Sequence, residues 1–217
     1  MTITIFLADD HPLIMDGLRL ILDNEPDFKV VGQAVDGRAL VQAVVKHQPD
    51  VVIVDVTMPE LNGIEATRQI REHSPDCRVI MLSMHSTPRL VLRALEAGAS
   101  GYLVKGTANE EVVQAVRSVV LDHRYLSQKV ADLIGQVPLV NSRMGQIKDP
   151  LQRLSDRERE VLQLVVEGYS NARIAETLHL SPKSIATYRS RIMHKLNLPD
   201  LPSLIKFAIE NDLTPPL

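Results

Sequence analysis

The sequence predicts a doubly wound α/β domain with a five-stranded parallel sheet, followed by a small all-α domain of four helices, and three observations lead there. Short apolar runs rich in β-branched residues each stop at a polar side chain: residues 2–8 before Asp9, 51–54 before Asp55, 79–82 before Ser83 and 101–104 before Lys105. Stretches of helical period lie between them, so strand and helix alternate as they do around a parallel sheet. From Leu151 onward the pattern is helical throughout, with capping signals at each start.

Taken in order, the run ending at Ala8 is the first strand, and Pro12 marks a helix start after it. Ala39, Val41, Ala43, Val44 and Val45 follow Asp36 with helical spacing, and Ile64, Ala66 and Ile70 do the same before His73. A further helix is expected over 108–121, opened by a capping box of Thr107 and Glu110, and a short one up to about Ile134 after Tyr125-Leu126-Ser127. Periodicity then fails. Residues 135–150 hold Pro138, Asn141, Ser142, Gly145 and Pro150 as a tether would, together with Val137, Leu139, Val140 and Ile147, which suit an ordered strap. The expected organisation is thus a domain over 1–124, a short helix and linker over 125–150, and a second domain over 151–217.

In that second domain Ser155 and Glu158 form a capping box, and Val161, Leu162, Leu164 and Val165 supply an inner face before Gly168. Ser170 caps the next helix, His179-Leu180 makes a turn, and Ser181-Pro182 opens a third helix that runs to about Leu196. Two short helices on a tight turn, the second longer and basic, predict a helix-turn-helix. On the third helix Ile185, Tyr188, Ile192 and Leu196 form the packing stripe. Lys183, Thr187, Ser190 and His194 lie opposite, with Arg189, Arg191 and Lys195 on the flanks. Cations beside short polar groups suit a major groove, where long side chains meet phosphates and short ones read base edges.

In a parallel sheet the carboxyl ends of the strands share one crevice, which brings Asp9, Asp10, Asp55 and Lys105 together. Clustered carboxylates repel unless a cation sits among them, and a few hard oxygen ligands suit Mg²⁺ awaiting a phosphate. Lys105 would take another phosphoryl oxygen, and one carboxylate would act as nucleophile to give an acyl phosphate. Asp55, alone at the end of the most apolar strand, is the natural nucleophile, while the Asp9–Asp10 pair is better suited to metal. His11, beside Pro12 at a helix start, reads as a surface residue without assigned chemistry.

Residues 1–124 resemble the receiver domain of two-component response regulators, a flavodoxin-like fold. The resemblance rests on Asp9-Asp10-His11-Pro12, Asp55-Val56-Thr57-Met58-Pro59 with Asn62-Gly63, Ser83, and Gly101-Tyr102-Leu103-Val104-Lys105 in the family's order. It implies Asp55 as phosphoacceptor, with Asp10, the Asp55 carboxylate and the Thr57 carbonyl as metal ligands. Asp9 would lie in the second shell or bind through water, and Ser83 and Tyr102 would be switch residues. Two positions depart from the common pattern: Gly106 stands where proline often follows the lysine, and the long Met84 follows Ser83, where a small residue would leave the crevice open. Residues 151–213 resemble the LuxR-type helix-turn-helix through Leu154-Ser155, Arg157 to Leu162, Gly168 to Asn171, Ile174-Ala175, Leu178 and Lys195-Leu196. The two together place the chain with the NarL/FixJ class of transcriptional regulators. That resemblance implies base contacts near Ala186, Thr187 and Ser190 and backbone contacts at Lys183, Arg189, Arg191 and Lys195. It also implies a cognate histidine kinase, double-stranded promoter DNA and a homodimer on activation. One self-phosphorylation with slow self-hydrolysis is not enzyme turnover, so no enzyme is expected.

Bulk properties agree. The 217 residues are 45% hydrophobic, enough for a sizeable core in one to two domains. No apolar segment reaches membrane-spanning length and no basic leader precedes the first strand, so a soluble cytoplasmic protein without membrane contact is expected. The single Cys77 has no internal disulfide partner and reads as a loop thiol. The net charge of −3 hides an uneven distribution, since 181–196 carries four Lys and Arg residues without one acidic group. Other classes fit less well. An aspartyl-phosphate phosphatase would have an aspartate where Thr57 stands, and an autoinducer sensor needs pocket aromatics including Trp, against no Trp and 3% aromatics here. A regulator whose C-terminal domain acts mainly through a protein partner is the remaining alternative.

Overall fold

The structure is a computed structural model that describes residues 2–135 and 149–213, and the chain divides into two compact units between residues 144 and 145. Most of the expected 135–150 tether lies outside the described residues.

The first unit is built on six parallel strands: β1 (Ile3–Ala8), β2 (Phe28–Ala34), β3 (Val51–Asp55), β4 (Arg78–Ser83), β5 (Gly101–Val104) and β6 (Tyr125–Leu126), in the order β2-β1-β3-β4-β5-β6. Six helices connect and follow them: α1 (Pro12–Asp23), α2 (Gly37–His47), α3 (Gly63–His73), α4 (Pro88–Glu96), α5 (Asn109–Val120) and α6 (Gln128–Gly135). Both faces of the sheet are covered. Phe6, Ala8, Val52, Val54, Val79 and Met81 point into one core cluster and Ile5, Leu7, Val51, Ile53, Ile80 and Leu82 into the other. Double burial explains why these strands read as unbroken apolar runs.

Three expectations need correction. The sheet has a sixth strand beyond the five expected, because the chain after α5 returns along the free edge of β5. There Tyr125 N–H donates to the Ser100 carbonyl and Ser127 N–H to the Tyr102 carbonyl, at 3.1 and 3.0 Å, and Val130 of α6 is fully buried in the core. The capping box of Thr107 and Glu110 does not form. Ala108 takes the N-cap position, which makes Glu111 the third helical residue, and the Thr107 hydroxyl bonds the Glu111 carboxylate. Cys77 does lie in the loop between α3 and β4, but it is not an incidental thiol: its side chain is buried in the core, and burial pushes the thiol up to about 12.

Chain order reverses direction across β1, with β2 on one side and β3 on the other, so a crevice opens at the carboxyl ends of β1 and β3. Close backbone approach finishes it. A Cβ on Gly63 would lie 2.0 Å from the Asp55 carbonyl oxygen, so only glycine lets α3 start against the end of β3. Asn62 caps that helix through Glu65 N–H at 3.0 Å.

The second unit holds α7 (Asp156–Val166), α8 (Asn171–Leu178), α9 (Pro182–Leu196) and α10 (Leu201–Glu210), preceded by a 3-10 turn over Pro150–Arg153. The Ser155–Glu158 capping box is complete, and Ser170 and Ser181 cap the next two helices. Val161, Leu162, Ile174, Leu178, Ile185, Ile192 and Leu204 close one small core. None of the described helices is long and apolar enough to cross a membrane.

Candidate functional site

The crevice of the first unit places Asp9 just after β1, Asp55 at the end of β3, and Lys105 just after β5, its backbone N–H donating to the Ser83 carbonyl at 2.7 Å. Lys105 Nζ lies 2.8 Å from Asp9 Oδ2 and 2.9 Å from Asp55 Oδ2, all three side chains being at least nine-tenths buried. The Thr57 hydroxyl donates to the same Asp55 Oδ2 at 3.3 Å. Asp55 Oδ1 is buried and accepts no hydrogen bond among the described residues, which leaves one oxygen of the carboxylate without a partner. Burial pushes Asp55 up to about 6 although Lys105 pulls the other way. Burial opposes the charge on Lys105 too, but the two carboxylates outweigh it and hold the ammonium above its usual range.

Asp10 stands at the rim, 38% exposed. Carboxylate oxygens of Asp9, Asp10 and Asp55 and a ring nitrogen of His11 lie within 4.8 Å of one another. Hard oxygens dominate that set, and such a set suits a small divalent cation.

Ser83 and Tyr102 meet at one residue. The Ser83 hydroxyl accepts the His85 N–H at 3.1 Å, and the Tyr102 hydroxyl donates to the His85 carbonyl at 2.7 Å. Tyr102 is fully buried in this conformation, so its ring already lies inside. Met84, between them in the chain, is exposed. Gly106 adopts φ +86°, a left-handed turn that places Lys105 and that glycine takes without strain.

In the second unit Lys183, Ala186, Thr187, Ser190 and Arg191 are all exposed and recur at i, i+3, i+4, i+7 and i+8, one stripe of α9. The opposite stripe of Ile185, Ile192 and Leu196 is buried. The two remaining cations are tied within the domain. Arg189 donates to Asn171 Oδ1 at 2.8 Å, and Lys195 Nζ lies 2.6 Å from Glu158 Oε2. Burial alone would raise Glu158, but Lys195 and the Ser155 backbone bond hold it below its usual range. The capping carboxylate of α7 thereby also fastens the C-terminal turn of α9.

Comparison with known proteins matches both units. The profile described as response regulator receiver domain covers residues 5–117, and that of bacterial regulatory proteins, luxR family, covers 152–208. The chain belongs to the response regulators. The transcriptional regulatory protein DegU of Brevibacillus brevis is 37% identical over 96% of this chain and 94% of its own length. The response regulator UvrY of Escherichia coli (strain K12) is 37% identical over 97% and 95%. Among solved structures, two RcsB dimers bound to two parallel DNAs resemble the chain with a TM-score of 0.61 and 26% identity, covering 97% of it and 99% of the RcsB chain.

This response regulator is of the NarL/FixJ class, a receiver joined to a LuxR-type DNA-binding domain, and its family is one of transcription regulators, not enzymes. The structure brings Asp9, Asp10, Asp55, Thr57 and Lys105 together as one crevice. Two residues without an expected role also make contacts with the expected ones. His11 contacts both members of the aspartate pair, for which the only sequence signal is its place between Asp10 and Pro12. His85 links Ser83 to Tyr102 through backbone groups, which no side-chain pattern reveals.

Proposed function

We propose that this response regulator is switched by phosphorylation of Asp55, which favours a homodimer that binds double-stranded promoter DNA through α9. The observation that carries the reading is the Asp55 carboxylate. Lys105 and Thr57 clamp Oδ2, leaving the buried Oδ1 unpartnered and free to attack phosphorus. With its ordinary value raised only to about 6, Asp55 is ionised at neutral pH, as a nucleophile must be. A new bond from Oδ1 to phosphorus replaces the donor's bond, and the donor leaves with that electron pair; a cognate histidine kinase is the donor we infer. Asp10, the Asp55 carboxylate and the Thr57 carbonyl would hold Mg²⁺, with Asp9 in the second shell or through water. Bound there, Mg²⁺ supplies positive charge for the phosphoryl oxygens.

The acyl phosphate adds roughly two negative charges beside Asp9. Lys105 and the Ser83 hydroxyl are the groups at hand to compensate it. Drawing Ser83 towards the phosphoryl group releases the His85 N–H, and Tyr102 is bonded to that same residue, so the change passes to the loop before α4. On α9, Lys183 and Arg191 face solvent as phosphate contacts, with Arg189 and Lys195 at their sides, and Ala186, Thr187 and Ser190 face base edges. The alternative, a helical domain serving mainly a protein partner, is not favoured. All of these steps suit a cytoplasmic protein.

The test is a mobility-shift assay on promoter fragments, with and without a small phosphodonor. Retardation should strengthen on phosphorylation and weaken steeply with salt. A helical domain that retards no fragment under either condition would contradict the reading.

A further inference from the structure

We propose that Asn171 is a positioning residue for DNA binding: it holds the Arg189 guanidinium ready for a phosphate of the DNA backbone without taking away its charge. The proposal rests on reading α9 as the DNA face. It is carried by the distribution of charge in the second unit and by the geometry between α8 and α9.

The cations of that unit are unevenly partnered. Among the described residues, every Lys or Arg of α7 and α10 has a carboxylate partner: Arg157 has Glu160 at 2.8 Å, Arg159 has Asp156, and Lys206 has Glu210 at 3.8 Å. In α8 and α9 only Lys195 has one, Glu158. Arg173 lies over the Tyr169 ring, 4.4 Å from its centroid, Lys183 and Arg191 are exposed, and Arg189 bonds an amide oxygen. Unpaired positive charge therefore gathers on the two helices of the helix-turn-helix, where a polyanion supplies the missing partner.

Within this group Arg189 is held by a side chain of the neighbouring helix. Its Nη1 donates to Asn171 Oδ1 at 2.8 Å. Asn171 is the first residue of α8, directly after the N-cap Ser170, whose hydroxyl accepts the Arg173 N–H at 3.2 Å. Ile174, one turn on, is fully buried, so the amide stands on a fixed base. Arg189 lies between the exposed Ala186 and the buried Ile192, at the border of the two stripes of α9. Bonding to α8 draws its guanidinium off the base-facing stripe, towards the flank where a sugar-phosphate strand would run.

The chemistry of the acceptor matters. A guanidinium has several N–H donors on a planar fork, so a bond to Asn171 leaves others for a phosphate. Glu158 offsets the charge of Lys195, whereas a neutral amide oxygen fixes Arg189 and leaves its charge whole. An arginine fixed beforehand also loses less rotamer freedom on binding.

The experiment is fluorescence anisotropy of a labelled DNA duplex, titrated over a range of salt with the full chain and a small phosphodonor. Arg189→Ala should weaken binding about fivefold near physiological salt and lower the log-log salt slope by about one. Asn171→Ala keeps the charge, so it should weaken binding about threefold with the parent's slope. It should add nothing when Arg189 is already alanine. Asn171→Asp keeps the test valid should the alanine variant fold poorly. A carboxylate at the start of α8 suits the helix end, so its melting temperature should not fall below the parent's. Its ion pair with Arg189 should nevertheless lower affinity and slope as Arg189→Ala does. Parental affinity in Asn171→Ala or Asn171→Asp, or an equal loss from Asn171→Ala in the Arg189→Ala background, overturns the positioning role. An unchanged slope in Arg189→Ala overturns the phosphate contact and Asn171 with it, leaving α9 as the DNA face. A parent chain that leaves the duplex unbound even at low salt overturns the DNA reading and this inference together.

Discussion

Asp55→Asn should make the receiver more stable at neutral pH, although it removes the residue on which the switch depends. Burial moves the Asp55 carboxyl from its ordinary 3.8 to about 6. A raised carboxyl binds its proton more tightly in the folded state, so its contribution to stability falls as pH rises from the lower value through the upper one. At about 1.4 kcal/mol per pH unit, the ionised group costs the fold roughly 3 kcal/mol above pH 7. A neutral amide of the same shape removes that cost. It also leaves Lys105 with Asp9 as its remaining carboxylate, so the net gain should be about 1–3 kcal/mol, or roughly 3–10 °C in the receiver transition. The gain should shrink to about half near pH 5, where much of the parent's Asp55 is protonated. Thermal melts by circular dichroism, with chelator present at both pH values, measure this directly. A variant that melts at or below the parent at neutral pH, or a gain independent of pH, would refute the electrostatic account of the crevice.

The remaining predictions concern the switch and the DNA face. Lys105→Ala and Ser83→Ala should still accept some phosphate yet lose phosphorylation-dependent dimerisation; sedimentation showing both phosphorylated variants dimerising as the parent does would exclude the route through His85. Lys183→Ala and Arg191→Ala should each lower the log-log salt slope of DNA binding by about one, whereas Thr187→Ala and Ser190→Ala should change sequence preference more than nonspecific affinity. Lys195→Ala should in addition cost about 1–2 kcal/mol of stability in a denaturant titration, because Glu158 loses its counter-ion; an unchanged midpoint would show that the pair contributes nothing.

How much was legible beforehand depended on what each element packs against. β1, β3, β4 and β5 are buried on both faces and so appear as plain apolar runs. β2 is different: an edge strand with Lys29, Gly32 and Gln33 in it and several half-exposed positions has no such run. β6 has two residues, and only the free edge of β5 makes them a strand. The crevice was readable because a parallel sheet converts strand ends into neighbours, whatever their separation in the chain. Its histidines were not, since the contact of His11 depends on how two carboxylates turn and that of His85 on backbone groups. On α9 the periodicity gave the faces correctly, but Arg189 and Lys195 look free in sequence because their partners lie 18 and 37 residues away.

The central claim is that Asp55 is where the signal enters, and the most direct measurement is the site of phosphorylation. Incubated with a small phosphodonor and Mg²⁺, the chain should gain the mass of one phosphoryl group, the modified peptide should contain Asp55, and both chelation and Asp55→Asn should abolish the gain. Phosphate found on Ser83 or Thr57, or a full gain of mass in Asp55→Asn, would contradict it.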